Sequence, residues 1–239
     1  MSDELTGQHV LVIGGSKYLG EAVARRAAAR GARVTIGARD LEAASRVAAD
    51  LPHGRAVYLD VASEETIAAA AADLGTVDHV VVTAAAHHNV PVGKLEHDRI
   101  IAAFEAKVIG PLLLAKHFGR ILPPTGSVLL FSGVAAWKPA PGYAVMGVSN
   151  GAVSFLASHL AKELAPIRVN AISPGIIDSG TWDALGADAK QGLLDGAAAS
   201  NVAGRAGVSD DIAQAAVWLL GAGFVSGETI HVEGGARHA

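Results

Sequence analysis

The feature that most constrains the fold is a repeated alternation between short β-branched runs and longer Ala/Leu-rich segments with helical spacing. The first pair is HVLVI at 9–13 followed by EAVARRAAARG at 21–31. This order predicts parallel strands joined by right-handed helical crossovers, with helices on both faces. We expect an α/β fold: a doubly wound, parallel seven-stranded sheet in three αβα layers. The predicted strands are 9–13, 33–36, 56–59, 79–83, 127–132, 167–172 and 228–232.

Local signals predict where several helices begin and end. Asp40, Ser63 and Ser209 each precede a helix-like segment and are predicted N-terminal caps. Gly31 and Gly221 are predicted C-terminal stops.

The length of 239 residues and the lack of a linker or internal repeat predict a single domain over 1–239. Residues 178–207 are the least regular part of the pattern and are predicted to form a mobile flap within that domain. Ligands of such sheets bind at the carboxyl ends of the strands, and we expect the flap to cover that site.

Composition excludes several classes of protein. The chain has no cysteine, which excludes disulfides and thiolate chemistry. A net charge of −4 argues against nucleic-acid or anionic-membrane partners. The first eight residues, MSDELTGQ, contain two acids and no apolar run, and no stretch approaches about 18 uninterrupted apolar residues. We therefore expect a cytoplasmic protein without a signal peptide or a membrane span.

A glycine-rich turn, IGGSKYLG, follows the first predicted strand and opens the first helix. Gly14, Gly15 and Gly20 allow backbone N–H groups and a helix N-terminus to face a pyrophosphate. The alternative is a tight turn that binds no ligand. The strand-to-helix context is the one that dinucleotide binding requires.

From this turn onward the chain resembles the short-chain dehydrogenase/reductase family, whose opening motif is Gly, three residues, Gly, one residue, Gly. Gly14 and Gly20 match it, while Tyr18 replaces the middle glycine, so the adenosine side is expected to pack differently. The resemblance covers essentially the whole chain and implies a Rossmann-type fold with a small-molecule substrate. Further matches are LDV at 59–61, AA at 84–85, LAKELAPIRVNAISPG at 160–175 and SGETIHVEGG at 226–235.

The resemblance also implies which residues bind the cofactor. Asp60 is expected to hydrogen-bond the adenine and Ala84 to line the ribose region. Ile177 is expected to meet the nicotinamide and Ser179 to reach the phosphates. The predicted set is Gly14, Ser16, Lys17, Tyr18, Leu19, Gly20, Arg39, Asp60, Val61, Ala84, Ala85, Asn150, Pro174, Gly175, Ile177 and Ser179.

The end of the second strand predicts which dinucleotide is bound. Members of the family that prefer NAD place a carboxylate where this chain has Ala38, and Arg39 follows. The Arg39 guanidinium and the Lys17 ammonium suit a 2′-phosphate, so they predict selection of NADP(H). The alternative is that both are solvated surface bases.

The resemblance breaks at the residues that perform the family's chemistry. In the family, a Tyr four residues before a Lys transfers the proton, a Ser after the fifth strand orients the carbonyl, and an Asn anchors a water. A gapless alignment places Met146 at the Tyr position and Asn150 at the Lys position. The Ser position falls on Gly133, with Ser132 one residue early, and the Asn position falls on Lys107. The chain is thus identified as a divergent member without the usual Tyr/Lys pair.

The changes at Lys107 and Asn150 are reciprocal, because an ammonium and an amide have exchanged places. We expect one shared pocket in which Asn150 hydrogen-bonds the nicotinamide ribose and Lys107 reaches the substrate. The alternative is that Lys107 extends into water and Asn150 is an inert surface residue.

Two further residues complete the predicted catalytic set. Ser132 lies next to the family's Ser position. Tyr143 precedes Asn150 by about two helical turns, so both project from one face if the helix extends that far, with Gly147 leaving room between them. The alternative for Tyr143 is a loop aromatic that covers the core.

Other polar and aromatic residues near the predicted site are less specific. His87 and His88 follow the fourth strand, and either is a candidate general acid. Adjacent histidines do not easily bind one ion, and no carboxylate cluster accompanies them, so no metal site is predicted. Trp182, in the flap, either contacts the substrate or only pins the flap down.

These observations favour an NADP(H)-dependent oxidoreductase that transfers hydride to or from a small carbonyl, imine or activated alkene. Lys107 would stabilise developing negative charge or deliver the proton. Two alternatives remain open: a non-catalytic NADP(H)-binding sensor or interaction subunit, and a non-redox biosynthetic enzyme on the same fold. The resemblance further implies a homodimer or homotetramer, with contact helices around Glu105–His117 and Gly151–Leu164.

Overall fold

The computed structural model describes residues 5–239 and contains a parallel sheet of seven strands. A separate pair of two-residue strands, β7 and β8, lies outside that sheet. The strands are β1 (His9–Ile13), β2 (Arg33–Ala38), β3 (Arg55–Tyr58), β4 (His79–Val82), β5 (Ser127–Phe131), β6 (Arg168–Pro174), β7 (Ile177–Asp178), β8 (Gly207–Val208) and β9 (Thr229–Val232). The sheet order β3-β2-β1-β4-β5-β6-β9 reverses between β1 and β4, which is where ligands bind in folds of this class.

Helices cover both faces of the sheet. They are α1 (Tyr18–Ala28), α2 (Leu41–Ala49), α3 (Glu64–Leu74), α4 (His97–Phe104), α5 (Gly110–Phe118), α6 (Ala144–Glu163), α7 (Ala187–Ser200) and α8 (Ser209–Gly221). A π-helical segment, Glu105–Ile109, joins α4 to α5 in one continuous helical path. The buried residues of α1, α2 and α8 pack on one face, and those of α3, α5 and α6 pack on the other. The predicted three-layer, single-domain architecture is therefore confirmed.

The strands are apolar on both sides because both faces of the sheet are covered. In β1, Val10 and Val12 belong to the core beneath α1, α2 and α8, whereas Leu11 and Ile13 belong to the core beneath α3, α5 and α6. All seven predicted strands are present, and their ends differ from the predicted ends by no more than two residues.

The predicted N-terminal caps are correct at two helices and wrong at the third. Asp40 caps α2 and Ser63 caps α3, each accepting a hydrogen bond from the main-chain N–H three residues on. Ser209 is instead the first residue of α8. The carboxylate of Asp211 accepts from the N–H of Val208 at 2.8 Å, so the acid in the first turn performs the capping.

Both predicted glycine stops lie at helix ends. Gly31 has φ of +89° and follows α1 in the left-handed region. Gly221 is the last residue of α8.

The expectation that 178–207 is the least regular segment is wrong. It contains the 14-residue helix α7 and is closed at its base by β7 pairing with β8. Two glycines within α7, Gly192 and Gly196, face open space, because a Cβ added at either one would meet no atom within 4 Å. The helix propensity of the residues around them outweighs the low helix propensity of the two glycines.

The helix α6 is, within residues 5–239, the one that is long and apolar enough by composition to cross a membrane. Its residues Val153, Ala157 and Leu160 pack into the core with residues of β6. Other apolar residues of the same helix, Val148 and Phe155 among them, are exposed.

Candidate active site

The glycine turn after β1 lies tightly against the end of β4. Gly14 has φ of +83°, and a Cβ there would lie 2.7 Å from Thr83 Oγ1 and 2.8 Å from the main-chain N of Ala84. A Cβ at Gly20 would lie 2.6 Å from the same Thr83 oxygen, which donates to the carbonyl of Ile13. No side chain would fit at either position. Because Gly14 and Gly20 have none, the first turn of α1 can approach the end of β4 closely.

Tyr18 keeps the backbone turn although it replaces a glycine. Its φ is +55°, in the left-handed region that glycine adopts more easily. Its ring lies 5.0 Å from the Lys17 ammonium and next to Gly180, where a Cβ would be 3.1 Å from the ring. The side chain therefore contacts the 178–207 segment and links it to the glycine turn.

The remaining residues predicted to bind the cofactor lie around the same edge of the sheet. The Asp60 carboxylate accepts from the N–H of Ala62 at 3.0 Å, which fixes its orientation. Arg39 and Lys17 are both exposed, at the ends of β2 and of the glycine turn. Among the others, the buried residues are Val61 and Ile177, and Ala85 is exposed. The half-buried residues are Ser16, Leu19, Ala84, Pro174, Gly175 and Ser179.

Lys107 is buried within the π-helical segment, with only 7% of its surface exposed. Its Nζ donates hydrogen bonds to the carbonyl oxygens of Phe131 at 2.8 Å and of Ser132 at 3.2 Å. These carbonyls lie at the carboxyl end of β5, so the ammonium points towards the ligand-binding edge of the sheet. Burial lowers the pKa of Lys107 from 10.5 to about 8, because desolvation disfavours the charged form.

The side-chain amide of Asn150 lies against the main chain at Gly133. Asn150 lies in α6 and is 1% exposed. A Cβ at Gly133 would lie 2.6 Å from Asn150 Nδ2, so the amide occupies the space that a side chain at 133 would need. Asn150 Oδ1 is buried without a hydrogen-bond partner among the described residues. An unpartnered acceptor of this kind is costly unless a ligand or water donates to it.

Ser132 uses its hydroxyl within the protein. Its Oγ donates to the main-chain carbonyl of Asn150 at 2.8 Å and accepts from Ser154 Oγ at 3.0 Å. The hydroxyl thus ties the end of β5 to α6. Its carbonyl oxygen, rather than its side chain, contacts Lys107.

The two adjacent histidines have different environments. Partial desolvation, and to a smaller extent the charge of Lys107, lowers the pKa of His87. His88 is buried, and its Nε2 accepts from the N–H of Glu96 at 3.0 Å, so its ring supports the loop. Within residues 5–239, no group of three His, Asp or Glu side chains is arranged to hold a metal ion.

Tyr143 immediately precedes α6 and is half-buried. The helix begins one residue later, at Ala144, so the extension to residue 143 on which the predicted shared face with Asn150 depends stops one residue short. Gly147 lies between them in the sequence. A Cβ there would be 2.9 Å from the carbonyl oxygen of Ala135, so the missing side chain leaves room for Ala135 rather than for Tyr143. Met146, at the family's Tyr position, is also half-buried.

Two side chains hold the start of the 178–207 segment. The Trp182 indole donates to the carbonyl of Ile177 at 3.0 Å. The hydroxyls of Ser179 and Thr181 hydrogen-bond each other at 3.0 Å. Of the two roles considered for Trp182, the structure shows the one that pins the segment down.

Sequence reasoning missed two components of this site. The carbonyl oxygens that accept hydrogen bonds from Lys107 are backbone atoms, so no residue type in the sequence indicates them. The role of Gly133 as the space for the Asn150 amide had a signal in the predicted alignment, which places the family's Ser at 133 and its Lys at 150.

We expect Gly133→Ala to lower the free energy of unfolding by about 1–3 kcal/mol, because its Cβ would overlap the Asn150 amide. Urea unfolding at one temperature measures this. The same substitution in an Asn150→Ala background should cost at least about 1 kcal/mol less. Gly151→Ala is the matched control, since a Cβ there would meet no atom within 4 Å and alanine favours the helix. Equal costs of Gly133→Ala in both backgrounds would show that the two residues do not share this space.

Comparison with known proteins shows close relatives along the whole chain. A family model described as enoyl-(acyl carrier protein) reductase matches residues 14–237. The short-chain dehydrogenase/reductase ucsE of an Acremonium species is 32% identical, covering 98% of this chain and 97% of its own.

Solved structures show the same fold with the same coverage. A small-chain dehydrogenase in complex with NADPH has a TM-score of 0.84 at 28% identity, covering 97% of this chain and 99% of its own. The MalC reductase/Diels-Alderase from Malbranchea aurantiaca has a TM-score of 0.90 at 26% identity, covering 99% of both chains. Together with the parallel sheet and its glycine turn, these matches show that the chain belongs to the short-chain dehydrogenase/reductase family of oxidoreductases.

Proposed function

We propose that this protein is an NADP(H)-dependent oxidoreductase for a small carbonyl, imine or activated alkene, with Lys107 as the proton-transfer group. The observation that carries the proposal is the inward-pointing ammonium of Lys107 at the end of β5. It lies beside the part of α6 that contains Asn150, where the family's own lysine would be.

The residues present fit a nicotinamide dinucleotide. The side-chain-free cradle at Gly14 and Gly20 suits a pyrophosphate. The buried, unpartnered Oδ1 of Asn150 suits a donating ribose hydroxyl of the nicotinamide nucleoside. The other residues that would hold it are Ser16, Lys17, Tyr18, Leu19, Arg39, Asp60, Val61, Ala84, Ala85, Pro174, Gly175, Ile177 and Ser179. When bound, this cofactor supplies or accepts the hydride.

Lys107 is arranged to give up a proton. Two of its three ammonium hydrogens point at the carbonyls of Phe131 and Ser132, which leaves the third for a substrate oxygen or nitrogen. In reduction, that hydrogen stabilises the negative charge that develops on the substrate and is then transferred to it. The free amine that remains stays hydrogen-bonded to both carbonyls. A lowered pKa near the working pH makes this transfer easier than from an ordinary lysine.

Other residues in this proposal position or cover the reacting groups. Ser132 holds the main chain at Asn150 and is a positioning residue. Tyr143, immediately before α6, would fold over the site and supply a hydroxyl to the substrate. His87, whose pKa the charge of Lys107 helps to lower, would lie on the substrate side of the pocket.

The preference for NADP(H) rests on Arg39 and Lys17. Both are exposed on either side of the adenosine end of the predicted site, and Ala38 leaves no carboxylate there to repel a phosphate. A guanidinium binds phosphate through two parallel hydrogen bonds, which Lys17 would reinforce as a point charge. The NADPH complex of a relative supports the same choice.

The helices predicted to form a subunit contact carry exposed apolar residues, which supports a homodimer or homotetramer. Phe155 on α6 is 70% exposed and Leu112 on α5 is 45% exposed. Large apolar side chains at this exposure are typical of protein interfaces when they occur together.

A second candidate is a non-redox reaction in the same pocket, as one of the solved relatives is titled a reductase/Diels-Alderase. An ammonium that donates a hydrogen bond to a carbonyl also activates that carbonyl without hydride transfer. Substrate turnover without NADPH consumption would favour this candidate. NADPH binding without any turnover would favour a sensor or interaction subunit.

Lys107→Met should lower kcat about 10²- to 10⁴-fold against the best substrate from a panel of small aldehydes, diketones and imines. The methionine keeps the volume but has no proton to transfer. Loss of NADPH absorbance measures turnover, and calorimetry should find NADPH affinity within a few-fold of wild type. Lys116→Met, an exposed lysine on α5, is the matched control and should leave kcat unchanged. Turnover like that of wild type in Lys107→Met would refute the proposal.

The rate of reduction should depend on the protonation of Lys107. The acid form exists below its pKa of about 8, so kcat/KM should be level at lower pH and fall about tenfold per unit above pH 8. Residual activity of Lys107→Met should lack this inflection. An inflection below 6.5 instead would identify His87, whose pKa is lowered.

Arg39→Asp should reverse the cofactor preference. A carboxylate repels the 2′-phosphate and accepts from a ribose diol, so the ratio of kcat/KM for NADPH over NADH should fall about 10- to 1,000-fold. Arg46→Asp, on the exposed side of α2, is the control for a change of net charge. An unchanged ratio in Arg39→Asp would show that Arg39 is a solvated surface base.

A further inference from the structure

The ring of Tyr18 lies between two parts of the chain that border the phosphate end of the proposed cofactor site. Tyr18 is the first residue of α1, in the glycine turn, and Gly180 follows β7 at the start of the 178–207 segment. A Cβ at Gly180 would lie 3.1 Å from Tyr18 Cδ1 and 3.2 Å from Tyr18 Cε1. The edge of the ring therefore lies against the main chain of Gly180.

The backbone conformation of Tyr18 is unfavourable for a residue with a side chain. Its φ is +55°, in the left-handed region, where Cβ comes too close to the following carbonyl oxygen. Burial in the core does little to offset this strain, since 41% of the residue is exposed. Strain of this kind persists only where neighbouring contacts enforce it, and it clusters at sites that hold ligands. The contacts of the Tyr18 ring are therefore the ones to explain.

Two contacts fix the orientation of the ring. The Lys17 ammonium lies 5.0 Å from the ring centroid, a distance at which the π-electrons attract a cation. The edge formed by Cδ1 and Cε1 faces Gly180. The ring thus lies between the lysine proposed to bind the 2′-phosphate and the segment that carries Ser179, which is proposed to reach the phosphates.

The segment on the other side of this contact is tied together at its start. Gly180 has φ of +90°, and the hydroxyls of the residues before and after it, Ser179 and Thr181, hydrogen-bond each other at 3.0 Å. Lys190 of α7 forms an ion pair with Asp183 at 2.7 Å, which connects the turn to α7. The ring therefore contacts a connected unit, at the one position where a side chain would collide with it.

We propose that the contact between Tyr18 and Gly180 is a clasp that controls how fast NADP(H) enters and leaves its site. The residues proposed to hold the phosphates lie on both sides of this clasp, with Gly14 and Gly20 in the turn and Ser179 in the segment. The dinucleotide would pass when the ring rotates away from Gly180. The inference rests on the function proposed above, because it takes the dinucleotide to bind at the glycine turn. Tyr18 is in this sense a positioning residue and takes no part in the chemistry.

Stopped-flow measurement of NADPH binding to the full-length protein, and of its displacement, tests the proposal through nucleotide fluorescence. Tyr18→Gly restores the glycine of the family motif and suits the left-handed backbone, so this variant should fold. Its association and dissociation rate constants should each rise at least about fivefold, while Kd changes less than about threefold. Tyr18→Phe is the matched control and should have the rate constants of wild type, because ring carbons make the contact.

Tyr18→Ala separates the ring from the backbone. It removes the ring but keeps a Cβ in the left-handed region, so NADPH should exchange as fast as in Tyr18→Gly. Hydrogen exchange without added nucleotide measures the contact by itself. The main-chain amides of residues 179–186 should exchange at least about fivefold faster in both variants than in wild type or in Tyr18→Phe.

Four results would overturn the clasp while leaving the oxidoreductase assignment intact. They are unchanged NADPH rate constants in the folded Tyr18→Gly and Tyr18→Ala variants, a rise in the dissociation rate alone, the same acceleration in Tyr18→Phe, and unchanged hydrogen exchange over 179–186. Failure of the wild-type protein to bind NADPH would instead overturn the cofactor assignment, and the clasp with it.

Discussion

The hydrogen bonding of seven parallel strands is the constraint on which the rest of this structure depends. It aligns the strands so that all of their carboxyl ends meet at one edge of the sheet, and the order reverses between β1 and β4. The glycine turn, the carbonyls of Phe131 and Ser132 and the start of the 178–207 segment all belong to this edge. Residues that are more than a hundred positions apart therefore come to one place without a separate structural device.

Lys107, Gly133 and Asn150, three positions where the predicted alignment departs from the family, lie close together in this fold. The amide of Asn150 needs the space left by Gly133, and the ammonium of Lys107 needs the carbonyls of the same stretch of β5. A buried ammonium is unfavourable unless it is hydrogen-bonded, and here two acceptors reduce that cost while desolvation still lowers the pKa. In our proposal, the two carbonyls hold the ammonium in place, and its burial makes it a better acid.

The fold was largely predictable because its signals are local and repeated. The strands read as short apolar runs, and the helices between them have a 3.6-residue period, so every sheet strand was identified within two residues at its ends. Errors came where a competing local interaction decided the outcome. At α8 the carboxylate of Asp211 performs the capping expected of Ser209, and in α7 the surrounding helix formers outweigh two glycines.

The sequence alone determined the fold class and the family resemblance, because each depends on residue types at fixed spacings, and it predicts the exchange of Lys107 with Asn150. Only the tertiary structure decided what those residues touch. It turned Lys107 inward, set the Asn150 amide over Gly133, and engaged Ser132 with the backbone of α6. The physical reason is that a side chain's partners are set by how α6 and the π-helical segment pack against β5. That packing joins residues whose separation along the chain carries no periodic signal.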